Sequence, residues 1–268
     1  MSNQQKLIKF ASCIFAIISA VLEINATPST QIWMPSTDIQ GFGVFHLGWD
    51  SYIKIAGPEG TVTNGGVTVG VLPFSKVGLE IGVDYRDIGN LNGGGVQGHF
   101  YPIYLNAKLG TPEDAFFKYM PALAVGSFDL GTQYKVGSQT NYNITYGLLA
   151  KNIWKLGRFS LGYYQGNNSL LLDYSDNAKK DGSGVLVSWD RTLTEISDKL
   201  WIAVEYMGAK NSYGEGSVGA SYAITPDASF IIGYDYWNDY ATYKPTVTVQ
   251  VDFNLPAVQT WFKKADKK

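Results

Sequence analysis

The sequence predicts an all-β chain folded as a single antiparallel up-and-down transmembrane β-barrel of about twelve strands. Three observations predict it. The stretch 77–85 reads Val-Gly-Leu-Glu-Ile-Gly-Val-Asp-Tyr. A strand turns successive side chains to opposite faces, so Val77, Leu79, Ile81, Val83 and Tyr85 form one apolar face, and Gly78, Glu80, Gly82 and Asp84 a small or charged one. The same alternation recurs along the chain. The mean hydropathy is neutral, at -0.06, because a barrel hides its greasy residues in alternate positions, whereas a helical membrane protein is greasy throughout. The N-terminus carries an export leader. Gly 30 and Tyr 18 both exceed ordinary use, which suits small inward positions and interfacial girdles.

The leader occupies 1–26. Lys6 and Lys9 form a basic region, 10–22 is apolar, and Glu23-Ile24-Asn25-Ala26 offers a small-residue cleavage site. Cleavage is expected after Ala26, with Ala20 as second choice. The alternative is a membrane anchor, but an apolar run of about 13 residues falls short of the roughly 20 that a spanning helix needs. Phe10-Ala11-Ser12-Cys13 faintly resembles a lipidation box, yet the apolar run follows the cysteine instead of preceding it. Cys13 is the only cysteine, so the mature chain has no thiol or disulfide chemistry. Segment 27–40 lacks alternation and is expected to be a periplasmic lead, or else a piece tucked into the lumen.

The barrel itself is expected over 41–255. Its strands follow in order: 41–55 (Phe45, Leu47, Trp49 on the apolar face), 66–72 (Val67, Val69, Val71), 77–86, and 99–109 (Ile103, Leu105, Ala107, Leu109). Next come 115–128, the least clear, with Leu123 and Val125 on one face and Ala122, Ala124 and Gly126 on the other, then 141–151 (Tyr142, Ile144, Tyr146, Leu148). The second half contains 158–165 (Phe159, Leu161, Tyr163), 183–191 (Val185, Val187, Trp189) and 199–208 (Leu200, Ile202, Val204, Tyr206). It ends with 215–223 (Val218, Ala220, Tyr222), 228–238 (Phe230, Ile232, Tyr234, Tyr236) and 246–255 (Val247, Val249, Val251, Phe253, Leu255). Segment 256–268 is expected to be a solvated periplasmic tail.

The connections alternate in character. Those at 73–76, 110–114, 152–157, 192–198 and 225–227 are short; those at 56–65, 87–98, 129–140, 166–182, 209–214 and 239–245 are mostly longer and rich in Gly, Asn and Ser. Short periplasmic turns opposite long outer loops, with an even strand number, put both termini in the periplasm. The leader, the alternation and this asymmetry resemble Gram-negative outer-membrane β-barrel proteins. The resemblance is porin-like and architectural; it spans 41–255 and fixes no single family. Val251-Asp252-Phe253-Asn254-Leu255 is similar to the C-terminal strand signal of that class, except that about a dozen residues follow it. The resemblance implies export through the periplasm into the outer membrane. A soluble sandwich or lipocalin-like barrel would share the periodicity, but the small residues opposite Trp, Tyr and Phe favour lipid outside.

With the apolar face on lipid, the pore-lining candidates are His46, Asp50, Glu80, Asp84, Arg86, Lys108, Lys118, Lys151, Arg158, Asp190, Glu205, Asp235 and Asp252. Mixed charge in a lumen either selects solutes or braces the wall by internal ion pairs. Trp49, Tyr52, Tyr85, Trp189, Tyr206, Tyr234, Tyr236 and Trp237 are expected in the girdles, and Tyr104, Tyr164 and Trp201 on the lumen side. Only His46 and His99 are available as histidines, and no zinc motif, Walker loop or dinucleotide fingerprint occurs. Neither enzymatic activity nor a cofactor is therefore expected. Lys+Arg 21 against Asp+Glu 23 leaves no basic patch, which excludes nucleic acid as a partner. The expected partners are outer-membrane lipid and a small polar solute or ion; the oligomeric state stays open. The function expected is a narrow passive channel, with a closed-lumen structural or surface-interaction barrel as the alternative. Twelve strands stand below the 16–18 of general porins, so any pore is narrow.

Overall fold

The computed structural model describes residues 29–56, 61–88 and 102–255. The expected signal segment 1–26, Cys13, His99, the Gly-rich stretch 91–98 and the tail 256–268 lie outside the described residues. Twelve strands close into one antiparallel barrel: β1 (Phe45–Lys54), β2 (Val62–Gly70), β3 (Gly78–Ile88), β4 (Ile103–Thr111), β5 (Ala122–Gly131), β6 (Ile144–Asn152), β7 (Arg158–Gln165), β10 (Ser183–Thr192), β11 (Leu200–Met207), β12 (Glu215–Thr225), β13 (Ala228–Trp237) and β14 (Thr246–Leu255). Two short strands, β8 (Leu172–Asp173) and β9 (Lys179–Lys180), form a separate hairpin inside the long connection 166–182. Each barrel strand pairs with its sequence neighbour, and β1 closes the ring on β14 from Phe45↔Leu255 to Lys54↔Thr246. Closure removes both sheet edges, which is the condition for strands to stand in lipid with every backbone group paired.

The outer surface is the apolar face that alternation predicts. Ile81, Val83 and Tyr85 on β3, Leu161 and Tyr163 on β7, and Ile232, Tyr234 and Tyr236 on β13 are all exposed, while the intervening side chains turn inward and are mostly buried. A solvated protein does not display such a belt on every strand; a bilayer stabilises it. The register slips once between β4 and β5, at Leu105/Ala107, and once between β12 and β13, at Ala223/Thr225. Such slips bend the wall locally.

Four expectations need correction. On β6 the faces are exchanged: Ile144, Tyr146 and Leu148 are buried inside the barrel, and Thr145, Gly147 and Leu149 face outward. The lumen there is packed with apolar residues, so both faces of β6 suit burial and alternation does not tell them apart. The fifth strand starts at Ala122, so 112–121 is a connection longer than expected. Tyr52 and Trp237 are inward and buried, not girdle residues. Residues 29–40 are not a periplasmic lead, because most of this segment is buried inside the barrel, the second of the two placements that its sequence allowed.

Because lipid offers no hydrogen bonds to a cation, Val83, in the middle of β3 and opposite Val67 and Leu105, is a clean test of the outer face. Val83→Arg is expected to destabilise the inserted barrel by about 2–4 kcal/mol, and Val83→Leu by less than about 1.5 kcal/mol. Equilibrium unfolding in lipid vesicles measures both, and equal costs would place the belt elsewhere.

Candidate functional site: a half-filled lumen

Residues 29–40 organise the lumen. Thr30 and Pro35 form a bridge that turns the segment into a tight hairpin, with Gln31 N–H donating to the Met34 carbonyl at 2.8 Å. At its tip, the N–H groups of Ile32, Trp33 and Met34 all converge on the Glu205 carboxylate of β11, with Met34 at 2.9 Å and Ile32 at 3.2 Å. Ser217 Oγ adds a fourth bond at 2.9 Å. A buried carboxylate is costly unless it is hydrogen-bonded, and a hairpin tip is costly unless its amides are; each here satisfies the other. Ile32 nests against Gly219 and Gly233, where an added Cβ would stand 2.9 and 3.1 Å from its side chain.

The segment then crosses the short-connection end of the barrel. Asp38 takes two bonds from Arg158 Nη1, at 2.7 and 2.8 Å, and Arg158 Nε donates to Asp190 at 2.9 Å. Asp190 also accepts from Gln31 at 3.1 Å and from the Trp201 indole at 3.0 Å. Gln40 bonds Glu80 through its backbone and Asn254 through its side chain, both at 2.9 Å. On the β6–β11 side the lumen is a packed apolar core of Met34, Ile144, Tyr146, Leu148, Tyr164, Leu171, Leu186, Met207 and Tyr213.

The opposite side, lined by β1–β5 and β14, holds a cavity of about 420 Å³. Seven of the predicted residues meet there: His46, Asp50, Glu80, Asp84, Arg86, Lys108 and Asp252. Three charge pairs cross the strands: Lys108–Glu80 at 3.1 Å, Arg86–Asp129 at 2.7 Å and His46–Asp252 at 3.3 Å. Asp84 accepts from Asn106 at 2.6 Å. Among the described residues Asp50 and Asp84 make no ion pair. The wall facing the cavity is thus acidic in excess.

Four other predicted residues face inward with a bracing part. Arg158, Asp190 and Glu205 hold the hairpin, and Asp235 accepts from Thr246 Oγ1 at 2.6 Å. Two predicted residues are corrected. Lys118 is exposed in the connection 112–121, over the ring of Tyr119. Lys151 sits at the short-connection rim and pairs with Glu113 at 2.8 Å and Asp114 at 3.4 Å. Trp33, Asp38, Asp129 and Tyr213 also build the lumen, and the sequence pattern did not single them out. An Ile-Trp-Met cluster at 32–34 in a segment expected in water was the available signal for the first.

An antiparallel, closed and apolar-belted barrel with a charged interior defines the class: a transmembrane β-barrel. No protein-family model matches the chain, and no curated protein is significantly similar to it in sequence. Three solved barrels are similar in structure. An outer membrane channel from Pseudomonas putida F1 covers 81% of this chain and 96% of its own, at 8% identity and a TM-score of 0.49. The NanC porin covers 79% and 99%, at 12% identity and 0.43. OmpF of Salmonella typhi, in complex with daunomycin, covers 79% and 96%, at 8% and 0.39. At these scores the likenesses carry no weight in assigning a role, and the barrel is established by its own closed register.

Glu205→Ala removes the acceptor of three tip amides, each bond to a charged group being worth about 1.5–3 kcal/mol. The expected result is amide hydrogen exchange at Ile32, Trp33 and Met34 faster by at least about tenfold, with strand amides unchanged. Unchanged tip exchange would mean that the hairpin is held by packing alone.

Proposed function

We propose that the chain is an outer-membrane channel for small polar solutes or ions, narrowed from within by residues 29–40. The observation that carries this reading is the charged cavity between the hairpin and the β1–β5 wall. A barrel braced only for stability has no need of carboxylates without cationic partners facing open space, because an uncompensated charge in a low-dielectric interior is destabilising. Outer-membrane placement is supported by the apolar belt together with the leader. Passive transport is supported by the arrangement of the charge, which lies along the cavity wall and so can set a field for permeating ions.

The crossing of the short-connection end by 36–41 favours one second reading, a barrel with a closed lumen. Conductance separates the two. Full-length mature protein in a planar bilayer is expected to give small, discrete conductance steps; their absence would favour the closed barrel. In a conducting protein, Asp84→Asn is expected to shift the reversal potential under a salt gradient towards less cation preference. The shift should shrink as salt rises, since exposed charges are screened beyond roughly 8–10 Å near physiological ionic strength. An unchanged reversal potential would remove Asp84 from the conduction path.

A further inference from the structure

We infer that the luminal cavity is a binding site for organic ammonium cations, with an acidic wall for the charge and an aromatic wall for the carbon skeleton. This deepens the channel reading by naming a solute class, and rests on it only for the step from binding to passage.

The acidic wall has a built geometry. One register row crosses four strands as Asp252–Gly48–Gly66–Asp84. Two adjacent glycines leave a bare backbone floor, and a carboxylate stands at each end of it. Both lean over the floor: an added Cβ at Gly66 would lie 2.3 Å from Asp84 Oδ1, and one at Gly48 would lie 3.5 Å from Asp252 Oδ1. The next inward row places Asp50 beside Asn64 above the same floor. Asp252 is 4% exposed and paired with His46, while Asn64 Oδ1 is shut off from solvent and accepts no hydrogen bond. His46 Nε2 stands 3.3 Å from Asp252 Oδ1. The other cations facing the cavity are Arg86, held by Asp129, Lys108, held by Glu80, and Lys54 at the far end of β1. Asp50 and Asp84 therefore present carboxyl groups that form no ion pair with a described side chain.

The aromatic wall is an independent observation. Tyr52 is the next inward residue above Asp50 on β1, so an aromatic face follows the acid directly. Trp33 of the hairpin stands edge-on to Tyr52 at 5.0 Å and to Trp237 at 5.2 Å, with interplanar angles of 89° and 80°. Tyr213 closes the group at 5.9 Å from Trp33. All four line the cavity. The rings pack edge to face on one another and so form one continuous aromatic wall of the cavity, a surface that attracts a weakly hydrated ammonium. A metal ion is a poorer match, because among the described residues no group of three or more His, Cys, Asp or Glu is placed to hold one. A bare anion is disfavoured by the acid excess. The volume of about 420 Å³ suits a small amine with one ring or a short chain.

The test uses the full-length mature protein in detergent, where conduction plays no part, so its failure and that of the channel reading are distinguishable. Binding of benzyltrimethylammonium, benzyl alcohol and benzenesulfonate is followed by tryptophan fluorescence and calorimetry. Saturable binding of the cation is expected, with the alcohol and the sulfonate weaker by at least about tenfold. Asp50→Asn/Asp84→Asn should weaken cation binding by a similar factor and leave the alcohol unchanged. Trp33→Leu should weaken binding of the cation and of the alcohol alike. Wild-type protein that binds the alcohol or the sulfonate as well as the cation, or binds none of them, overturns the inference whether or not the variants fold. So does a folded double variant with undiminished cation affinity.

Discussion

Closing β1 onto β14 is the constraint on which the rest of the structure depends. A ring of eight strands is just wide enough for its own side chains to fill, and width grows with strand number. Twelve strands therefore enclose more space than their inward side chains occupy. A dry void of that size would forfeit the dispersion contacts of its lining, and a fully wet one would leave the apolar inward residues of β6, β10 and β11 in water. The chain resolves this by filling one side of the lumen with its own residues 29–40 and Leu171, and by making the other side polar.

The two sides obey different rules. Around Met34, Leu186 and Met207 the interior is packed like the core of a soluble protein, and stability comes from burial. Around Asp50 and Asp84 the wall is charged and most charges are matched across strands. Removing one partner of a buried pair is far more damaging than never having had the pair. Glu80 and Lys108 are therefore poor sites for testing the proposed channel: Glu80 also receives bonds from Ser29 at 2.8 Å and from the Gln40 amide. Changing it would disturb the hairpin and the cavity together, whereas Asp50 and Asp84 stand apart from the hairpin's anchors.

Strand number, the outer face and most lumen-facing charges were legible in the sequence because lipid imposes one simple demand, an apolar residue at every second position. Legibility failed where that demand is not the only one. On β6, Ile144, Tyr146 and Leu148 look like lipid-facing residues because a packed core makes the same request as a bilayer. Lys118 was assigned to a strand because 115–121 is apolar enough to extend one, although pairing with β6 begins only at Ala122. Residues 29–40 carry no period because their hairpin is held by Glu205, Arg158 and Asp190, residues more than a hundred positions away. No local pattern encodes contacts of that range.

Trp33 joins the two sides. Its backbone N–H is bound to Glu205, its indole Nε1 donates to the Tyr213 carbonyl at 3.0 Å, and its ring forms one wall of the aromatic group above Asp50. Tyr213 in turn donates to Asp129, the partner of Arg86. The hairpin and the cavity therefore share residues instead of merely adjoining. Anything that binds the cavity against Trp33 favours the seated hairpin, by an amount that grows with its saturation, because an unseated hairpin would not supply that wall. Conversely, whatever unseats the tip lowers the fraction of chains able to bind there, and the apparent affinity falls with that fraction. A segment that first looks like a plug is thus also a wall of the space beside it, and its removal would widen the lumen and dismantle the aromatic group in one step.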